Sequence, residues 1–239
     1  MCAAMTEDEL STLSHGTRFE EALPTAVRWS HALLAPRLRA GDVVVDATMG
    51  NGHDTAFLVR CVMPGGRVFA FDVQVEALEA TRRRLAETEG SKSKIQNPRK
   101  DQTSKGTEKD VAEDAVTLIH AGHETMEQHL PAELRGKVRA VMFNLGWLPG
   151  AQKKEMFTRT ETTLTALGVA VEWIGDGGMI TVVCYPGHDG GDTEADAVEA
   201  WVAGLPAAHF EAQKLAFINL EGAPPRCLVV RKRTRGGTK

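Results

Sequence analysis

Short apolar runs along this chain alternate with longer segments in which apolar residues recur at helical spacing. The apolar runs predict five strands, at about 42–46, 67–72, 115–120, 138–143 and 179–185. The intervening segments predict helices at about 53–62, 74–87, 123–134 and 158–175, and Pro24 suits the first turn of an earlier helix. Strands that alternate with helices are typical of a parallel sheet covered on both faces, which also explains why these strands are almost entirely apolar.

The end of the chain follows a different pattern. After a predicted helix at about 193–203, two strands, Phe210–Ile218 and Arg226–Arg231, follow each other with only a turn at 222–225 between them. Two strands joined in this way form an antiparallel pair. The whole pattern therefore predicts one α/β domain over residues 1–239, with a doubly wound, mostly parallel sheet of seven strands that ends in an antiparallel pair.

Two segments do not fit this domain. Residues 1–22 are expected to be a mobile N-terminal segment. Residues 88–114 contain six lysines and arginines together with several serines and threonines, and almost no large apolar residues. Such a segment buries too little surface to offset its ordering entropy, so it predicts a disordered insertion between the second helix and the third strand. A loop that grasps RNA is the alternative hypothesis.

Charge and composition narrow the classes of function. The net charge of −4 gives no global attraction to nucleic acid, so an RNA contact would need a local basic patch, for which residues 231–235 are a candidate. The four cysteines are scattered and form no C-x-x-C pair, which argues against a zinc site and a disulfide framework and fits a reducing, cytoplasmic compartment. No apolar run reaches about 18 residues, so no membrane span and no membrane partner are expected.

The turn after the first strand carries the strongest chemical signal. It contains Gly50 and Gly52, which allow the backbone to approach a ligand closely because they have no Cβ. Asp46, at the tip of the strand, would repel a pyrophosphate and attract a ligand with a cationic amino-acid end. S-adenosylmethionine (SAM) is such a ligand, and Asp46 would hold its ammonium directly or through water. Capping of the following turn is the alternative role for Asp46.

A second carboxylate supports the same ligand. Asp72 ends the second predicted strand, twenty residues after Gly52, at the place where nucleotide-binding α/β folds put the acid that accepts from ribose hydroxyls. The neighbouring polar residues extend the predicted cofactor site. Asn51 and Thr55 are expected near the methionine carboxylate, Gln74 near the ribose or adenine, and His123 at the adenine edge. Asp54 either contacts the cofactor or caps the helix, and His53 either lines the pocket mouth or is a surface histidine.

Five motifs give the chain a family resemblance. They are D-A-T-M-G-N-G-H-D-T at 46–55, F-D-V-Q at 71–74, F-N-L-G-W-L-P-G at 143–150, Y-P-G-H-D-G-G at 185–191 and N-x-x-x-x-P-P at 219–225. With them, the chain resembles the bacterial family long labelled putative rRNA methylase, from about His31 to Pro225. Members of that family have been assigned as tRNA methyltransferases that act on the 5-aminomethyl group of a 2-thiouridine at the wobble position. The resemblance implies a Rossmann-like class I methyltransferase fold, SAM as the cofactor, and tRNA or another RNA as the partner.

Strand ends indicate the reacting residues, and the loop after the fourth predicted strand is similar to the N-P-P-Y loop of another group of methyltransferases. Asn144 would accept from the target amine, as in the loops of methyltransferases that modify exocyclic amines. Trp147 would stack on the base or pack in the core, and Pro149 would line the substrate site. The loop after the fifth strand supplies the remaining candidates, which are Tyr185, His188 and Asp189. His188 is expected to be either a proton acceptor or an exposed loop residue. No metal is expected. The alternative function is methylation of rRNA or of a small-molecule amine, and the sequence does not indicate the oligomeric state.

Overall fold

The computed structural model describes residues 23–88, 115–146, 158–187 and 190–234. The strands are β1 (Val43–Asp46), β2 (Arg67–Asp72), β3 (Val116–His120), β4 (Val138–Asn144), β5 (Ile174–Cys184), β6 (Phe210–Leu215) and β7 (Arg226–Lys232). The α-helices of the described residues are α1 (Ala26–Leu34), α2 (His53–Val62), α3 (Val75–Thr88), α4 (Met126–His129), α5 (Thr160–Trp173) and α6 (Gly191–Ala203). Short 3-10 turns lie at Ala35–Arg37, His123–Thr125 and Ala132–Leu134.

The strands form one mixed sheet in the order β3-β2-β1-β4-β5-β7-β6. The five strands from β3 to β5 are parallel to their neighbours, whereas β7 is antiparallel to both β5 and β6. The predicted seven-stranded sheet with an antiparallel ending is therefore confirmed. Because β1 and β4 are neighbours although β2 and β3 follow β1 in the chain, the chain reverses its winding direction between them, and ligands bind at such a point in open α/β sheets.

Helices cover the sheet on both faces, which is why its strands are apolar throughout. Val45, Val141 and Val182 point to the face covered by α4, α5 and α6. Val44 and Ala140 point to the other face, where they pack against α1 and α2. Each fully buried valine side chain stabilises the fold by roughly 1.5–3 kcal/mol, so the two layers together hold the strand ends in place.

Three predicted elements differ from the structure, the smallest difference being that β6 ends at Leu215 rather than at Ile218. The helix expected at about 123–134 is broken into two 3-10 turns and the four-residue α4, because Pro131 lacks an N–H and keeps Leu130 in an extended conformation (φ −85°, ψ 135°). Strand β5 begins at Ile174 rather than at about 179. Because glycine is uncommon in strands, the glycines at 175, 177 and 178 did not predict a strand there. In this part of β5 the register with β4 shifts at a bulge.

Several predictions concern residues outside those described. These are the mobile segment 1–22, the insertion (of which only Thr88 is described, as the last residue of α3), Trp147, Pro149, His188 and Asp189. The ends of the insertion are nevertheless located, since α3 ends at Thr88 and β3 starts at Val116. Both lie at the amino-terminal edge of the parallel strands. In the described ranges, no helix is long and apolar enough to cross a bilayer.

Candidate active site

A cavity of about 970 Å³ opens at the carboxyl ends of the parallel strands. Its wall is built from the turn after β1, the end of β2, the segment 121–124 after β3, the end of β4, the first turns of α5 and residues 185–187 after β5. All of these segments lie at the edge of the sheet where the parallel strands end. The cavity therefore lies at the ligand site that this topology provides.

The glycine turn after β1 is held from behind by α3. Gly52 has a φ of +76°, and a Cβ at this position would lie 2.8 Å from the Cα of Thr81. The Thr81 hydroxyl donates to the carbonyl of Gly50 at 3.1 Å, and Arg84 Nε donates to the carbonyl of Asn51 at 2.6 Å. The demand for glycine at position 52 thus comes from its left-handed backbone and its contact with α3, while Gly50 and Asn51 face the cavity.

Asp46 lies behind the cavity wall. It is fully buried, and its carboxylate accepts from the backbone N–H of Thr48 at 3.1 Å and from the Thr55 hydroxyl at 2.6 Å. Burial, followed by the negative charge of Asp54, raises the pKa of Asp46 to about 7. The expected direct contact between Asp46 and a ligand ammonium does not fit this arrangement, because Asp46 and Thr55 fix the shape of the turn from inside. An indirect role for both residues stays a prediction.

We expect Asp46→Asn to change the pH dependence of stability. Because the folded pKa lies above the unfolded value of 3.8, the native state binds more protons between about pH 4 and 7, and wild-type stability falls as pH rises there. The slope is at most about 1.4 kcal/mol per pH unit, and asparagine does not titrate. In urea unfolding, the free energy of unfolding of the variant relative to wild type should therefore rise by about 2.5 kcal/mol between pH 5 and pH 8. If the stabilities of variant and wild type changed in parallel with pH, Asp46 would not have a raised pKa in the folded state.

Asp72 lies in the cavity wall at the end of β2. Its Oδ2 accepts from the backbone N–H of Gly50 at 3.0 Å and its Oδ1 from that of Gln74 at 2.9 Å. Burial raises the pKa of Asp72, although these backbone donors act in the opposite direction. A carboxylate has about four acceptor positions, so both oxygens remain able to accept from a ligand diol. Gln74 itself is buried and lines the same part of the cavity.

His123 contributes a polar atom without a hydrogen-bond partner to the cavity wall. The side chain is buried, its ring meets Phe143 edge to face at a centroid distance of 5.8 Å, and Nε2 has no hydrogen-bond partner among the described residues. Burial lowers the pKa of His123, which favours the neutral ring. Leaving a buried polar atom unpaired costs about 1–3 kcal/mol, which agrees with the predicted role of His123 at the adenine edge but does not test it.

Asn144, at the end of β4, contacts both the turn after β1 and the start of α2. Its backbone N–H donates to the Thr48 hydroxyl at 2.7 Å, and its Nδ2 donates to Asp54 Oδ2 at 3.2 Å. The amide orientation follows from this contact, since a carboxylate only accepts. Asn144 Oδ1 is then left buried without a partner among the residues described. Tyr185 lies beside it, and burial raises the pKa of Tyr185, helped by the negative charge of Asp54, so that the phenol stays protonated.

Asp54 also contacts His31, a residue that the sequence did not identify as part of the site. Asp54 Oδ1 lies 2.6 Å from His31 Nε2, and the His31 ring stacks on Phe57 at 3.9 Å with an interplanar angle of 4°. Asp54 thus engages two side chains rather than capping α2. His53, one residue earlier, is exposed at the cavity mouth, and burial together with Arg84 lowers the pKa of its ring.

Glu194 is a second residue that sequence analysis missed. It is buried at the start of α6 and accepts from the Thr158 hydroxyl at 2.6 Å and the Thr163 hydroxyl at 2.7 Å. Thr158 lines the cavity, so Glu194 connects this part of the cavity wall to α5 and α6. In the part of the chain that is described, no three histidine, cysteine or acidic side chains form a metal-binding group.

A family model described as "Putative rRNA methylase" matches residues 68–231. The chain belongs to this family. The match covers β2 to β7, and therefore includes Asp72, His123, Asn144 and Tyr185. The glycine turn after β1 precedes it.

Individual relatives agree with this family membership. The chain is 36% identical over 204 residues to "tRNA (mnm(5)s(2)U34)-methyltransferase, chloroplastic" of Arabidopsis thaliana, covering 83% of this chain and 66% of that relative. The chain thus spans slightly less than two thirds of that relative's length.

Solved structures of family members have the same fold. The structure of a putative rRNA methylase from Clostridium thermocellum has a TM-score of 0.74 and 36% identity, and the match covers 89% of this chain and all of that one. A putative methyltransferase from Streptococcus mutans, solved in complex with SAH, has a TM-score of 0.70 and 31% identity, with coverage of 88% and 99%.

In this family member, the structure brings most of the predicted site together. The predicted residues that line the cavity are Gly50, Asn51, His53, Asp54, Asp72, Gln74, His123, Asn144 and Tyr185. Asp46, Gly52 and Thr55 support the turn from behind, as shown by their contacts above. The ligand roles of all these residues stay predictions.

Proposed function

We propose that this protein is a SAM-dependent N-methyltransferase that methylates the 5-aminomethyl group of a modified wobble uridine in tRNA. The observation that carries the proposal is the pairing of Asn144 with Asp54 in the cavity wall, since the amide oxygen of Asn144 has no partner among the described residues and the carboxylate of Asp54 attracts a cation. The name of the Arabidopsis relative supports an acceptor of this kind.

The cavity fits SAM in charge and in polar groups. Three of the described lining residues carry carboxylates, Asp54, Asp72 and Glu124, whereas Arg159 is the lining residue with a guanidinium. This surplus of negative charge suits a cationic ligand. Asp72 would accept from the ribose hydroxyls, and the unpartnered Nε2 of His123 would meet the adenine edge. The complex of the Streptococcus mutans relative with SAH supports the same cofactor.

The chemistry asks little of the protein beyond positioning. SAM supplies a methyl group on a sulfonium, which already has a good leaving group. The protein must therefore bind both reactants, orient the amine, accept its proton if it arrives charged, and exclude water. Asn144 Oδ1 would accept from an N–H of the amine and aim its lone pair, and an amide does this without titrating. The protonated Tyr185 phenol beside it offers a further hydrogen bond.

The loops outside the described residues complete the proposal. Trp147 would stack on the base, which is worth roughly 1–3 kcal/mol, and Pro149 and Asp189 would contact the nucleotide. His188 stays a predicted proton acceptor. Methylation of rRNA is the second candidate, favoured by the description of the family model, and a small-molecule amine is favoured by the net charge of −4.

The decisive experiment compares tRNA that bears an aminomethyl uridine with the same tRNA lacking that group. We expect SAM-dependent methylation of the first and no product on the second, measured by mass spectrometry of the nucleosides after single turnover. The amine then receives the methyl group. Equal activity on both tRNAs, or activity on rRNA alone, would refute an amine acceptor in tRNA and leave the second candidate.

A further inference from the structure

A chain of polar side chains leads from the cavity toward solvent. Asn144 Nδ2 donates to Asp54 Oδ2 at 3.2 Å, and Asp54 Oδ1 lies 2.6 Å from His31 Nε2. The Asp54 side chain is 6% exposed, and the His31 side chain is 26% exposed. The chain therefore starts at a buried carboxylate in the cavity wall and ends at a ring that reaches water.

The contact between His31 and Asp54 contains a proton. A carboxylate oxygen and an unprotonated ring nitrogen both accept hydrogen bonds, so a separation of 2.6 Å between them requires a hydrogen between the two atoms. The stack on Phe57 fixes the plane of the ring, and the Asn144 amide fixes the carboxylate. The short contact thus joins His31 and Asp54 into one hydrogen-bonded pair.

The substrate amine needs a group of this kind. An aliphatic ammonium has a pKa near that of lysine, about 10.4, so at pH 7 the nitrogen is protonated and has no lone pair with which to attack. Asp54 attracts a cation and has acceptor positions left beside the one used by Asn144. A proton that enters the cavity with the substrate must also leave it, and His31 provides the exposed end.

We propose that Asp54 contacts the substrate ammonium and takes its proton, and that His31 is a positioning residue through which the pair returns that proton to solvent. This inference rests on the proposed function. One N–H bond of the ammonium breaks, its electron pair stays on nitrogen, and the charge of the Asp54–His31 pair rises from minus one to zero. Loss of one proton to water from the exposed ring restores the pair.

Other titratable groups surround the pair. Asp46 lies beneath Asp54 in β1, Tyr185 follows β5, His53 adjoins it on α2, and Arg84 approaches His53 from α3. Burial raises the pKa of Asp46 and of Tyr185 and lowers that of His53. A change confined to His31 leaves all four in place, so a comparison of variants at one position isolates the pair.

The test is the pH profile of single-turnover methylation between pH 6.5 and 8.5, on tRNA that bears the aminomethyl uridine. His31→Gln keeps a donor for Asp54 but cannot carry a second proton, and His31→Phe keeps the stack on Phe57 but has no polar atom. His209→Gln, at an exposed histidine before β6, is the matched control. Calorimetric SAM affinity and thermal unfolding of each variant report the state of the cofactor site and the fold independently of turnover.

We expect His31→Gln to be about 100-fold slower than wild type at pH 7, because Asp54 then has no partner that can carry the second proton and loses its effect as a base. The deficit should shrink by close to tenfold per pH unit, since the fraction of amine that is already neutral in solution rises by that factor. SAM affinity should stay within about twofold of wild type, and the profile of His209→Gln should match wild type throughout.

Several outcomes would overturn the proposal. A wild-type profile for His31→Gln, with only His31→Phe slow, would make His31 a tether. A deficit that is constant with pH in both variants would make its role purely structural. A steepened profile for His188→Gln with an unchanged one for His31→Gln would move the proton acceptor to His188. Absence of methylation by the wild type would refute the proposed function itself, which the other outcomes do not.

Discussion

Replacing Asn144 by alanine is expected to lower the maximal rate of methyl transfer by about 100-fold and to change SAM affinity by less than about threefold. The unpartnered Oδ1 of Asn144 lies at the cavity wall, where it would hold the reacting nitrogen rather than the cofactor. An interaction with the reacting group lowers the barrier because it is made in the transition state. A misplacement of about 1 Å at that group costs roughly two orders of magnitude in rate.

The measurement is single-turnover methylation at saturating SAM, with SAM affinity determined separately by calorimetry. Gln213→Ala is the matched control, because it removes an exposed amide from the edge strand β6. The alanine at position 144 leaves Asp54 with His31 as its partner, and the backbone bond from Asn144 to Thr48 does not depend on the side chain. A folded variant with an unchanged maximal rate would show that Asn144 does not position the acceptor.

The cavity could be located from the sequence because of one physical rule. Parallel strands place their carboxyl ends at one edge of the sheet, so polar residues that follow apolar runs converge there even when they are far apart in the chain. Asp72, His123 and Asn144 follow three different strands, and all three line the cavity. Their order along the chain and the apolar runs before them were sufficient to group them.

Contacts that cross between elements could not be predicted in the same way. His31 lies on a helix at ordinary helical spacing, and its pairing with Asp54 depends on how α1 packs against the start of α2. Glu194 likewise meets Thr163 only after α5 and α6 are docked. A titratable residue on an amphipathic helix has the same sequence signature whether its side chain faces solvent, a salt bridge or an active site.

Burial is the other quantity that the sequence left open. Asp46 and Asp72 both end apolar strands, and the sequence predicted a ligand contact for each of them. The structure separates them, since Asp46 is fully enclosed by its own turn whereas Asp72 remains in the cavity wall. The difference arises because the turn after β1 folds back over its strand end and gives Asp46 a donor from Thr55, nine residues later.

Asp72→Asn is expected to weaken SAM binding by about 10- to 100-fold. Hydrogen bonds to a charged group are worth about 1.5–3 kcal/mol, and each 1.4 kcal/mol corresponds to a factor of ten. The amide keeps the size of the side chain but offers a single acceptor oxygen, so it cannot serve the backbone N–H groups of Gly50 and Gln74 and a ribose diol together. Its NH2 group would also face one of those two backbone donors.

The kinetic signature separates this role from that of Asn144. A ribose contact lies away from the transferred methyl group and is equally strong in the ground and transition states, so its loss should raise KM for SAM and leave kcat at saturating SAM within a few-fold of wild type. Glu79→Gln, which neutralises an exposed carboxylate on α3, is the matched control and should bind SAM like the wild type. Calorimetric titration with SAM decides the matter, since an unchanged dissociation constant in folded Asp72→Asn would remove Asp72 from the cofactor site.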